Sequence, residues 1–151
     1  DIERAVMPTS APSRTAFPYW IERRPDGYQA HFPNFPEFQP LAPSIKVLTD
    51  ELQEGLLKVL EAKLKNDDLP DPIAPCAGEN VLQLSPTYAT KLQLILAIKS
   101  QRYSPAELAK HLGCLPQEAT RIMKLTHPTK IDTLAAAITI LGGKLDCKIN
   151  F

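Results

Sequence analysis

The stretch PAELAKHLGCLPQEATRIMK, residues 105–124, decides the fold of the chain's second half. Leu108 and Leu112 lie one helical turn apart and face inward. Ala109 is small, as a close crossing of two helices requires. Gly113 comes four residues later and accepts the left-handed backbone that ends a helix. Ala119 and Ile122 supply the inward face of a second helix. In front, Ser104 and Glu107 match a capping box with proline at the first helical position. Two short helices joined at a steep angle by a Gly-containing turn form a helix-turn-helix. The rival reading is a structural hairpin without a nucleic-acid ligand.

What the second helix shows to solvent points to its chemistry. Pro116 presets its first turn. Gln117, Glu118, Thr120, Arg121 and Lys124 are its polar positions. Glutamine can pair bidentately with adenine, arginine with guanine, and glutamate can accept from cytosine. Glu118 is equally at home as an ordinary first-turn acid. Ser104, Thr129 and Lys130 stand at flanking helix starts, where backbone N–H groups favour phosphate. The residues expected to contact duplex DNA are therefore Ser104, Pro116, Gln117, Glu118, Thr120, Arg121, Lys124, Thr129 and Lys130.

Outward from this pair the chain stays helical. Ser85-Pro86 caps a helix that Leu92, Ile95, Leu96 and Ile98 carry to about Gln101. Thr129 to Asp132 repeats the capping pattern for a last helix, which ends at Gly142-Gly143. The tail KLDCKINF, residues 144–151, alternates strictly. Leu145, Cys147, Ile149 and Phe151 share one face, the pattern of a half-buried strand.

The first half reads differently. Residues 1–15 are rich in Pro, Ser and Thr without a period and read as a tail. Residues 17–23 and 28–32 are apolar and aromatic, and Pro25-Asp26-Gly27 between them is a turn, which predicts a β-hairpin. Four prolines in 33–43 confine any strand there to an edge. Ser44 starts a helix to about Lys65, with Val47, Leu48, Leu52, Leu56, Leu57, Leu60 and Leu64 at spacings of three and four. Gly55 costs this helix about 1 kcal/mol. Residues 69–79 read as a linker and 80–84 as a short strand. The fold class is α+β: a small sheet-plus-helix domain over 16–84, then an all-α helix-turn-helix domain with a terminal strand over 85–151.

The zero net charge of the 151 residues hides an asymmetry. Residues 1–84 carry 8 Lys and Arg against 13 Asp and Glu; residues 85–151 carry 9 against 4. A basic second half suits a polyanion, and an acidic first half a basic partner. Neither a membrane span nor a signal peptide is legible. The 3 cysteines, Cys76, Cys114 and Cys147, lack CxxC spacing and fit a reducing, cytoplasmic setting.

Nothing in the sequence points to catalysis, a cofactor or a metal. His31, His111 and His127 lie in three separate elements. Asp67, Asp68 and Asp71 sit among helix-ending prolines and read as a solvated loop. There is no phosphate-binding glycine loop and no nucleophile elbow. A nuclease reading has only Glu22, Asp26, Glu37 and Asp50, at strand, turn, loop and helix positions with no spacing that fixes a metal pair.

With both halves side by side, residues 17–151 resemble the HicB family, the antitoxins of bacterial HicA–HicB toxin–antitoxin pairs. The resemblance is strongest over 91–145, through ELAKHLG, PQEATR and THPTKIDTL. In front, DGYQAHFPNFPEF is similar to the family's strand-turn segment, with Asn34 in place of its aspartate and Glu37 in place of its glycine. The prolines of LPDPIAP look like the segment that closes the family's small domain. The resemblance implies a truncated RNase H-like front domain that neutralises HicA, a small mRNA-cleaving toxin, and a back domain that represses the operon. The hairpin and the acidic segments around it, including Trp20, Tyr28, Phe32 and Phe35, are the expected toxin contacts, the alternative being that these aromatics are core. A helix-turn-helix repressor reads two half-sites as a dimer. Leu145, Cys147, Ile149 and Phe151 are the expected dimer contacts, the alternative being that the front domain covers them. A solitary transcription regulator with a ligand-sensing front domain is the runner-up.

Overall fold

A computed structural model describes residues 10–151. The stretch 1–9 of the expected tail lies outside the described residues. The chain divides into two compact units, Asp1–Leu84 and Ser85–Phe151.

The front unit is built on strands β1 (Ala16–Arg24), β2 (Gly27–His31), β3 (Leu41–Ala42) and β4 (Asn80–Gln83), with helix α1 (Ile45–Lys65). The sheet is antiparallel in the order β3-β2-β1-β4. Arg24 pairs with Gly27, so Pro25 and Asp26 alone make the hairpin turn. Gly27 has φ 144°, and a Cβ there would lie 2.2 Å from the Ala42 carbonyl oxygen. The turn thus needs glycine twice, for its backbone and for the close approach of the neighbouring chain. β3 is short and at the edge, as its flanking prolines demand. Part of the expected tail is engaged: the Leu84 N–H donates to the Thr15 carbonyl at 3.0 Å, extending the β1–β4 pairing.

Strand alternation divides the side chains between two faces. Phe17, Tyr19, Ala30, Phe32 and Ala42 are buried, with Leu48, Leu52, Leu56 and Leu60 of α1 completing the core. Each such leucine is worth about 1.5–3 kcal/mol of burial. Ser44 caps α1, its Oγ accepting from the Val47 N–H at 3.2 Å. Gly55, a liability by propensity, has a packing reason. A Cβ there would come within 2.9 Å of the Phe38 ring.

The back unit comprises α2 (Pro86–Ser100), α3 (Pro105–Leu112), α4 (Pro116–Ile122) and α5 (Ile131–Ile140). Its core joins Leu94 and Ile98 of α2, Leu108 and Ala109 of α3, Ala119 and Ile122 of α4, and Leu134 and Ala137 of α5. α5 ends where Gly142 turns to φ 86°.

The strand expected over 144–151 is not formed in the single chain. A strand exists only through a paired neighbour, and this segment has no such pairing here. Leu145 is half-buried, at the rim of a groove of about 330 Å³ between α2 and α5 that Leu94, Ala97, Ile138 and Leu141 also line. Cys147, Ile149 and Phe151 are exposed, Ile149 at 77%.

Candidate nucleic-acid interface

Each helix start and stop around α3 and α4 follows from a local residue. Ser104 Oγ accepts from the Glu107 N–H and donates to Glu107 Oε1, both at 3.1 Å. The start of α3 is therefore filled by its own hydroxyl and acid. Gly113 ends the helix at φ 68° in the left-handed region. The chain then needs only Cys114 and Leu115 before Pro116 opens α4. Ala109 and Ala119 are both buried where α3 and α4 meet, so the two backbones approach closely.

This packing turns one side of α4 to solvent. Pro116, Gln117, Glu118, Thr120 and Arg121 are exposed, as are Lys124 just past the helix and Lys130 at the start of α5. Gln117, Arg121 and Lys124, at spacings of four and three, share one side. Thr120 donates its hydroxyl back to the Pro116 carbonyl at 3.0 Å. Glu118 lies against Cys114, and burial together with that carboxylate pushes the Cys114 thiol up from its ordinary range. Arg121, Lys124 and Lys130 supply positive charge to the same unit.

Thr129 behaves differently from expectation. The first residue before α5 is Lys130, and it has no side-chain capping bond. The Thr129 hydroxyl instead lies 2.7 Å from Lys91 Nζ, which donates to it. Its side chain is thus turned to the interior of the unit rather than offered to a phosphate.

Lys91 is the residue behind this surface that sequence reasoning missed. It is 0% exposed on α2. Its ammonium also donates to the Arg121 carbonyl at 3.1 Å and to the His127 carbonyl. A signal was present. Lys91 precedes Leu94, Ile95 and Ile98 by three, four and seven residues, which puts a lysine in the apolar stripe of its helix.

In the front unit the expected aromatic contacts separate into two classes. Phe32 and Phe35 are core, with Phe35 at 0% exposure; Phe35 packs on Phe17 at 5.7 Å and Phe32 on Tyr19 at 5.1 Å. They are buried away from any surface partner. The segment turns back on itself here, Phe35 bridging to Phe32 with its N–H donating to the Phe32 carbonyl at 3.0 Å. Tyr28 is half-buried on the face that carries Ala30. Trp20 alone stands on the opposite face. It stacks on His31 at 4.2 Å, and His31 Nε2 lies 2.9 Å from Glu22 Oε1.

The four carboxylates considered for a nuclease site each face a basic side chain, and Glu22 and Asp26 share Arg24. Glu22 meets His31, Asp26 meets Arg24, Glu37 meets Lys63 and Asp50 meets Lys46. Among the described residues no group of three His, Cys, Asp or Glu side chains is placed to hold a metal ion. No helix among them is long and apolar enough to cross a membrane.

The chain matches no family model. It is 31% identical over 131 residues to antitoxin HicB 2 of Photorhabdus laumondii, spanning 86% of this chain and 93% of that protein. The chain belongs to the HicB antitoxin family. Antitoxin HicB of Escherichia coli K12 is 26% identical over 131 residues, 85% of this chain and 95% of that protein. Two polar residues of the strand-turn segment, Asn34 and Glu37, have partners distant in sequence. Asn34 Nδ2 donates to the Asp71 carbonyl at 3.0 Å, and Glu37 Oε1 lies 3.1 Å from Lys63 Nζ. These two residues tie the turn to the segment after α1 and to α1's last turn.

Proposed function

We propose that this chain is a HicB-type antitoxin that neutralises a small HicA-type toxin through its front unit and represses its own operon through its back unit. The observation that carries the DNA-binding half is the geometry of α4. Gln117, Arg121 and Lys124 stand exposed along one side of a short helix, while Ala119 and Ile122 lock its other side to α3. In this reading α3 and α4 form a helix-turn-helix, with α4 lying in the major groove. Gln117 and Arg121 read base edges. Lys124 and Lys130 meet phosphates. Glu118, engaged with Cys114, serves as the first-turn acid.

The relatives' name, antitoxin, carries the toxin-binding half. The front unit's excess of acid fits a basic toxin, and the surface we assign is the outer sheet face around Trp20, opposite the face that holds Tyr28. A truncated RNase H-like origin accords with its antiparallel sheet and single helix. The back unit acts as a dimer, which lets two α4 helices read half-sites one helical turn apart. The exposed side chains of Cys147, Ile149 and Phe151, with Leu145 half-buried beside them, are its pairing surface, each copy supplying the strand partner that one chain lacks.

The test is fluorescence anisotropy with the duplex immediately upstream of the chain's own gene, against a scrambled duplex. Gln117→Ala with Arg121→Ala should remove the preference for the upstream duplex, at about 1–3 kcal/mol for each base-reading side chain truncated. Lys130→Ala should weaken both duplexes alike and flatten the salt dependence by about one phosphate. A double variant that binds the upstream duplex normally overturns the assignment of α4. Deleting residues 144–151 should give a monomer by light scattering; a truncated chain that stays dimeric overturns the pairing surface.

A further inference from the structure

A DNA-reading role for α4 does not by itself explain why a lysine is buried behind that helix. Removing an ammonium from water is costly unless each of its donors is satisfied. Lys91 meets that condition: its ammonium donates to the Arg121 carbonyl, the His127 carbonyl and the Thr129 hydroxyl. These acceptors come from two different parts of the proposed DNA surface. Arg121 lies in the last turn of α4, whose carbonyl end carries partial negative charge. His127 and Thr129 lie in the connection to α5, and Thr129 directly precedes Lys130, the residue at the α5 start.

We propose that Lys91 is a positioning residue for DNA recognition: its buried ammonium fixes the base-reading side of α4 relative to the phosphate-facing start of α5. The inference rests on the assignment of α4 made above. With 0% exposure Lys91 touches no phosphate itself. It acts through the backbone it holds. An apolar side chain of similar length fills the same space but leaves all three acceptors without this donor. The connection 123–130, which has no regular secondary structure, then keeps its buried Leu125 but loses the tie of His127 and Thr129 to α4. Specific recognition suffers first, because base contacts demand placement within a fraction of an ångström while non-specific phosphate attraction does not.

The experiment measures affinity for the upstream duplex and for the scrambled duplex at one salt concentration, with circular dichroism to follow folding. Lys91→Met should cut the ratio of the two affinities about tenfold, the equivalent of roughly one base-reading side chain, while non-specific affinity stays within about twofold. Lys91→Arg, which keeps the charge and several donors, should recover part of the ratio. Thr129→Val removes one acceptor with Lys91 in place; it should reproduce part of the drop and add nothing to Lys91→Met, which has already lost that hydrogen bond with the other two. Should Lys91→Met fail to fold, Thr129→Val decides alone. A folded Lys91→Met or Thr129→Val protein with an unchanged ratio, while Arg121→Ala loses it, overturns the positioning role and leaves α4 as the reading helix. An Arg121→Ala protein that keeps the ratio overturns the reading of α4 and this inference with it.

Discussion

The two units differ in how far their surface residues can be told from their core. In the back unit the side chains expected outside α4 are outside, and those expected inside are buried. In the front unit, two of the four aromatics expected at the surface, Phe32 and Phe35, are the centre of the core. Helical periodicity fixes which of two faces a residue occupies once a few apolar anchors are placed. A short strand running into a proline-rich loop carries no such period. An aromatic residue there fits a core and an interface equally well. What separates them is the path of the loop, and that path depends on residues distant in sequence.

Phe35→Ala breaks the comparison most severely. Emptying a site at 0% exposure should destabilise the front unit by about 3–5 kcal/mol, measured by denaturant unfolding. Because α4 and its partners lie in the other unit, DNA binding by folded protein should remain. Trp20→Ala on the outer face gives the contrast. It should cost little stability yet weaken capture of the toxin by about 2 kcal/mol if the ring is an anchor, read by calorimetry with the purified toxin. Equal stability losses for the two variants would show that the sheet's faces are not distinguished in this way.

Gly27→Ala comes next. The Ala42 carbonyl oxygen stands 2.2 Å from where the new Cβ must go, and this atom is backbone. The substitution should lower stability by about 2–3 kcal/mol, by displacing β3 from β2. Thermal unfolding that is unaffected by it would mean the edge strand moves at no cost. Ser104→Ala in the back unit is gentler. It deletes the cap of α3, whose Oγ accepts from the Glu107 N–H at 3.1 Å, and should cost about 1 kcal/mol. Ser104→Asp, which keeps an acceptor, should recover most of that loss.

Much of this architecture is legible in the residues alone. The hairpin around Pro25-Asp26, the edge position forced by four prolines, the cap at Ser44, the capping box at Ser104 and the left-handed stop at Gly113 each follow from one or two residues and their local geometry. What stays hidden depends on residues far apart in sequence. Gly55 reads as a cost because nothing local shows the Phe38 ring that needs its space. Thr129 reads as a cap because its spacing to Asp132 is right, yet Lys91, 38 residues earlier, takes its hydroxyl. The tail 144–151 alternates like a strand, but alternation does not supply a partner. For the candidate site, the exposed residues of α4 are readable from period and capping. The lysine that holds them is readable only as an oddity in an apolar stripe.

The smallest expected effect tests the loop whose path hides the core of the front unit. Glu37 follows Pro36 in that loop, and its carboxyl is held below the usual carboxylate range. Its own backbone N–H contributes most, burial works partly against it, and Lys63 lowers it further. Lys63 is correspondingly raised, chiefly by its hydrogen bond to Glu37. A carboxyl depressed in the folded state stabilises it fully above the unfolded value and loses that contribution as pH falls through the folded one. Wild-type stability should therefore decline on acidification between about pH 5 and pH 3, partly through this group. Lys63 titrates far above this window and stays charged throughout. The Glu37 side chain is exposed to solvent, so screening keeps the contribution small. Glu37→Gln should show a slightly lower midpoint of urea unfolding at neutral pH and a shallower fall below pH 5. In 1 M salt, with charges screened, the two proteins should converge. A Glu37→Gln protein whose stability parallels wild type at every pH would mean that the turn after Pro36 is held by Phe35, Phe38 and Asn34 alone, and that the acid adds nothing to the fold.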